Sequence, residues 1–145
     1  MDKLNRFIEA QDGVYERALE EIKNGRKKTH WMWYIFPQIK GLGMSEVSKY
    51  YGIDNLEEAK AYLNNDVLGF RLREISTELL TLDIDNPEDI FGSIDSMKLK
   101  SSMTLFESAS GEELFGLVLE KFYGGKRDER TILLLEKGKE FIYKK

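Results

Sequence analysis

A chain of 145 residues with 41% hydrophobic side chains and no cysteine is long enough to close a core, and it excludes disulfides, zinc–thiolate sites and thiol catalysis. A net charge of −4 argues against a protein that coats nucleic acid, because neutralising phosphates takes a basic face. The longest apolar run, Trp31 to Phe36, is far too short to span a membrane, and the N-terminus lacks the apolar stretch of a signal peptide. With no cysteine to oxidise, a cytoplasmic protein is expected.

The predicted elements are helical throughout. Leu4, Phe7, Ile8, Gln11, Tyr15, Ala18, Leu19 and Ile22 recur at helical spacing. Asp2 is placed to cap that helix and Gly25 to end it, while Gly13 weakens its middle. Residues 31–36 follow neither a helical nor an alternating period, so an extended segment and a buried helical turn are both open. Pro37 halts any helix that reaches it. Ser45 caps a short helix that Gly52 ends. Asp54-Asn-Leu-Glu57 reads as a capping-box variant, opening a helix with Leu56, Ala59, Tyr62 and Leu63. Asp66 caps the next, whose apolar stripe is Leu68, Leu72, Ile75, Leu79 and Leu82. Asn86-Pro87 is a cap followed by proline at the first helical position, and that short helix ends near Phe91-Gly92. Asp95 or Ser96 then caps a helix carrying Met97, Leu99, Met103, Leu105 and Phe106, closed by Gly111. A further helix runs from Leu114 to Phe122 and stops at Gly124-Gly125. Asp128 caps the last, with Ile132, Leu133, Leu135, Phe141 and Ile142 as its apolar set. With short connections, no repeat and no alternating strands, the pattern predicts a single all-α domain over 1–145, a compact bundle of about seven helices.

Costly residues concentrate in one place. The only histidine, His30, and both tryptophans, Trp31 and Trp33, stand together, with Tyr34 and Phe36 close behind and Pro37-Gln38 at the end of the run. Between Glu21 and Glu46 there is no acidic residue, while Lys23, Arg26, Lys27, Lys28 and Lys40 all lie there. Such a run is either a solvated loop or a patch that steers a small anion. His30 is the candidate general acid or base. Trp31 and Trp33 are candidate stacking faces for a planar ring, with core packing as the alternative, and Gln38 is a candidate polar reader at the rim.

Two further stretches carry candidate ligand groups. In Lys98-Leu-Lys-Ser-Ser-Met-Thr-Leu-Phe106, the side chains of Lys98, Ser101 and Ser102 fall on one helical face and, with Lys100, could hold a phosphate or carboxylate. Small serines that let helices pack closely are the competing reading. In Phe122-Tyr-Gly-Gly-Lys-Arg-Asp128, a glycine turn with Arg127 runs into a helix start, a workable anion site, or else Asp128 is simply an N-cap. It is not a P-loop, since that spacing is absent. One histidine and scattered carboxylates give no metal-ligand pattern, and no cofactor is implied.

Across these stretches the chain resembles a bacterial family, domain-of-unknown-function family 1810. The matching runs include His30-Trp-Met-Trp-Tyr-Ile-Phe-Pro-Gln38 with Gly41-Leu-Gly43, Ala59-Lys-Ala-Tyr-Leu63, Ile90-Phe-Gly92, Lys98 to Phe106, and Phe122 to Asp128 with Thr131. The resemblance implies a compact, mostly helical bacterial protein and no established reaction. Some members carry the label calpastatin, which does not fit. Inhibitors of that name are disordered, repeated and poor in aromatics, whereas this chain has the apolar content to offset its chain entropy.

Two functional readings stay open. One is an enzyme acting on a small anionic, nucleotide-like molecule, with aromatics stacking its ring, Lys98, Lys100 or Arg127 holding phosphate, and His30 moving a proton. The other is a non-catalytic module that binds a ligand or a protein through the same aromatic pocket. In a third, the His-Trp-Met-Trp run is only core. Nucleic-acid polymers and membranes are not expected partners, and the oligomeric state is left open.

Overall fold

Glycines and caps divide the chain into its elements. In the computed structural model, which describes residues 3–143 and side chains as far as residue 138, the pattern from Leu4 to Ile22 is two helices: α1 (Asn5–Gln11) and α2 (Tyr15–Lys23). Gly13 separates them at φ 73°, a left-handed conformation that costs glycine no Cβ clash. The aromatic run forms a helical turn of its own, α3 (Met32–Ile35). It is followed by α4 (Glu46–Tyr51), α5 (Leu56–Asn64), α6 (Asp66–Leu80), α7 (Pro87–Ser110), α8 (Glu113–Tyr123) and α9 (Glu129–Tyr143). The fold is all-α, with nine helices among the described residues. The expected count of about seven was low because Gly13 splits the first helix and the aromatic run makes another. No strand occurs among the described residues. An isolated parallel bridge joins Ile39 and Ile53, through Lys40 N–H to the Ile53 carbonyl and Ile53 N–H to the Gln38 carbonyl, both 2.8 Å. Asp2 and the side chains of Phe141 and Ile142 lie outside the described residues.

The caps follow the backbone conformation each helix start requires. Ser45 accepts from Ser48 N–H at 3.1 Å, Asn86 from Glu88 N–H at 3.0 Å, and Asp128 from Thr131 N–H at 3.1 Å, all as expected. Two other caps sit one residue away from the expected position. Asn55, not Asp54, accepts from Glu58 N–H at 2.9 Å, and Glu58 reaches back to Asp54 N–H at 2.7 Å. Asn65, not Asp66, caps α6 through Val67 and Leu68 N–H, both at 3.0 Å. In each case the asparagine is the extended residue. Asp66 becomes a first-turn acid, where the helix dipole favours it. α7 does not start afresh at Asp95. It runs on from Pro87 through a kink at Gly92 (φ 80°, ψ 172°).

α7 is the centre of the molecule. From Ser101 to Phe106 every residue is buried, as befits a helix covered on all sides by α5, α8 and α9. α6 packs on α2, α5 and α8, and its C-terminal end is closed by Lys121. That lysine donates to the carbonyls of Leu79 at 3.1 Å and Leu80 at 3.2 Å, and to that of Leu82, satisfying acceptors that a helix end leaves open. Among the described residues no helix is long and apolar enough to cross a membrane.

Candidate functional site

The aromatic run is held by one buried carboxylate. Glu21, in the last turn of α2, is 8% exposed. It accepts from Lys28 N–H (2.7 Å), Thr29 N–H (3.0 Å), the Thr29 hydroxyl (2.7 Å) and the Trp31 indole N–H (3.0 Å). A buried charge is tolerated when its oxygens are hydrogen-bonded in this way. Burial alone would raise the Glu21 carboxyl, but the four donors outweigh it and hold the group at about 2. The residues between Lys28 and Trp31 are thereby folded over α2, and the Trp31 indole is fixed in the core.

The turn of α3 then sorts the side chains. Trp31, Met32, Ile35 and Phe36 face inward and are buried, at the spacing of one helical face. Trp31 packs with Phe36 and Phe91, ring centroids 6.3 and 6.5 Å apart. Trp33 and Tyr34 point away and stay half-buried. Trp33 and the exposed His30 line a cavity of about 370 Å³ whose far wall is the α7 kink from Phe91 to Asp95. Gly92 gives that wall its bend.

Three charges meet at the cavity. Lys27 Nζ lies 2.9 Å from Asp95 Oδ2, and Lys98 Nζ lies 3.3 Å from Asp95 Oδ1. All three side chains are largely buried, at 9% exposure for Lys27 and 19% each for Asp95 and Lys98. Each ammonium also rests on an indole. Lys27 is 5.2 Å from the Trp31 ring centroid and Lys98 is 4.7 Å from that of Trp33, which partly offsets its desolvation. Two cations share one carboxylate, so one positive charge is left without a counter-charge beside a half-buried indole.

Of the residues expected at a site, the structure brings together His30, Trp33 and Lys98. Trp31 is core, for the reason given. Gln38 uses its carbonyl in the Ile39–Ile53 bridge and does not line this cavity. The shared face of Lys98, Ser101 and Ser102 does not form one site. Lys98 leaves toward Trp33, while Ser101 donates to the Met97 carbonyl and to Asp128 Oδ2, both at 3.1 Å. Ser102 is fully buried and its hydroxyl has no hydrogen-bond partner among the described residues. Both serines sit in the buried part of α7, where small side chains let neighbouring helices approach. Lys100 and Arg127 line a separate cleft beside Asp128. Lys100 lies 5.9 Å from the Tyr123 ring centroid, and Arg127 is paired with Glu107, Nε to Oε1 at 2.8 Å. Asp128 is the N-cap of α9. It is tied to α7 through Ser101 and through its own N–H to the Thr104 hydroxyl at 2.9 Å.

Asp95 and the pairing role of Lys27 were not legible beforehand. The i,i+3 spacing of Asp95 and Lys98 was a usable signal. Nothing local links Lys27 to α7. Among the described residues no group of three or more histidine, aspartate and glutamate side chains is placed to hold a metal ion.

Comparison with known proteins places the chain. The family described as Protein of unknown function (DUF1810) matches residues 1–135, and the chain belongs to that family. A crystal structure of a conserved hypothetical protein from Mycobacterium tuberculosis is similar, with 48% sequence identity, 92% of this chain and 96% of that chain covered, and a TM-score of 0.90. No curated protein matches.

Proposed function

We propose that this member of the DUF1810 family binds a small anionic molecule bearing a planar ring, nucleotide-like in that respect, in the cavity between α3 and the α7 kink. The observation that carries the reading is the uncompensated lysine charge held against Trp33. A half-buried indole offers a face or edge to a ring, and the Lys27–Asp95–Lys98 cluster offers its surplus charge to an anion. The cavity of about 370 Å³ is within the size range of small-molecule sites. His30 stands at the mouth as a hydrogen-bonding group. A general acid or base is normally oriented by a third group, and the exposed imidazole of His30 has no hydrogen bond to the protein among the described residues. This favours binding over turnover.

Titration with adenosine 5′-monophosphate while tryptophan emission is followed tests the reading. Emission should be quenched in the wild type and unchanged in Trp33→Phe, since buried Trp31 is out of reach. Lys98→Met should weaken binding roughly tenfold or more, the worth of about 1.5–3 kcal/mol for a charge-assisted contact. Quenching that persists in Trp33→Phe contradicts the proposal.

A further inference from the structure

We infer that Asp95 sets the charge of the ligand, so that the cavity takes a monoanion in preference to a dianion of the same shape. This rests on the binding reading above and goes beyond it by naming the charge class that the site selects.

The cluster is fixed before any ligand arrives. One oxygen of Asp95 faces Lys27 at 2.9 Å and the other faces Lys98 at 3.3 Å, so both ammoniums are oriented by the same carboxylate. The three elements that meet here each bring a charge or a polar group: Lys27 from the segment after α2, His30 from the segment before α3, and Asp95 with Lys98 from α7. With His30 counted as neutral, the sum is one positive charge. A singly charged ligand group brings the cluster to neutrality. A second negative charge has no partner and lies close to Asp95, in a place where the lysines themselves are at most one-fifth exposed. Unpaired charge is costly where water is excluded, and like charges at this range repel. Asp95 therefore both presents the lysines and limits what they can neutralise.

Phenyl sulfate and phenyl phosphate separate charge from shape. Both carry a ring and a tetrahedral group with three outer oxygens. At pH 8 the sulfate ester has one negative charge and the phosphate ester is close to two. Calorimetric titration of the wild type should give tighter binding for phenyl sulfate. In Asp95→Asn the cluster gains a positive charge and the order should reverse. Because Coulomb energy is linear in ligand charge, a gain of about threefold for the sulfate implies about tenfold for the phosphate. Lys98→Met moves the cluster the other way and keeps the test intact should Asp95→Asn fail to fold. It should weaken both ligands, the phosphate by the larger factor. Tighter binding of phenyl phosphate by the wild type overturns the inference. So does a sulfate-to-phosphate ratio that neither variant alters, and in both of those cases the site itself still binds anions. Absence of binding of either compound to the wild type overturns the inference together with the reading it rests on.

Discussion

Trp31 and Trp33 are two positions apart and serve different ends, and Glu21 is what separates them. Its carboxylate takes the Trp31 indole N–H and the backbone before it, so the turn that follows must present Trp33 outward. The same carboxylate makes stability depend on pH. Its ordinary value of 4.5 is lowered to about 2 in the folded protein, so the folded state binds the proton less readily than the unfolded chain does. The contribution is complete above about 4.5 and is lost as pH falls through about 2. A shift of that size corresponds to about 3 kcal/mol. Denaturant unfolding of wild type and Glu21→Gln between pH 7 and pH 2 checks this. The variant should be less stable by about that amount at pH 7, and the gap should close toward pH 2. A gap that stays constant with pH would assign the cost to packing around Trp31 and not to the charge.

Among the elements, α7 does most to shape the site, because its kink turns the wall from Phe91 to Asp95 toward α3. Gly92 sits at φ 80°, ψ 172°, a region open in practice to glycine alone, and a Cβ built there meets no atom within 4 Å. The penalty for a side chain is therefore one of backbone conformation. Gly92→Ala should destabilise the protein by about 1–3 kcal/mol, a drop of several degrees in melting temperature for a chain of this size. A variant as stable as wild type would show that the kink is relaxed at little cost. The sequence made the helix ends at Gly52, Gly111 and Gly124 legible, along with the caps at Ser45, Asn86 and Asp128, because each rests on contacts within a few residues. It misplaced the starts at Asn55 and Asn65 by one position, since adjacent Asp and Asn compete for the same role and only the backbone conformation decides. It also predicted a start at Asp95, where the structure has a bend at Gly92. Glycine signals a break as readily as an end, and the spacing on either side did not tell them apart.

At the scale of the molecule, an acidic chain keeps a locally cationic corner. The net charge is −4, yet Lys27 and Lys98 outnumber the one carboxylate they share. The all-α class was legible from periodicity, because burial of one face per helix fixes it. The joining of His30, Trp33 and Lys98 was expected from chemistry, whereas the Lys27–Asp95 pair that completes their cavity depends on how α2 and α7 lie together, which no local pattern encodes. The central claim is that a ring-bearing anion binds at Trp33 while Trp31 is a core residue. The most direct test is the pair of indole N–H signals in a two-dimensional nitrogen–proton spectrum recorded with increasing adenosine 5′-monophosphate. The account predicts that one signal, absent in Trp33→Phe, shifts progressively with ligand, while the Trp31 signal, held by Glu21, stays in place. Movement of the Trp31 signal alone, or of neither, would contradict it.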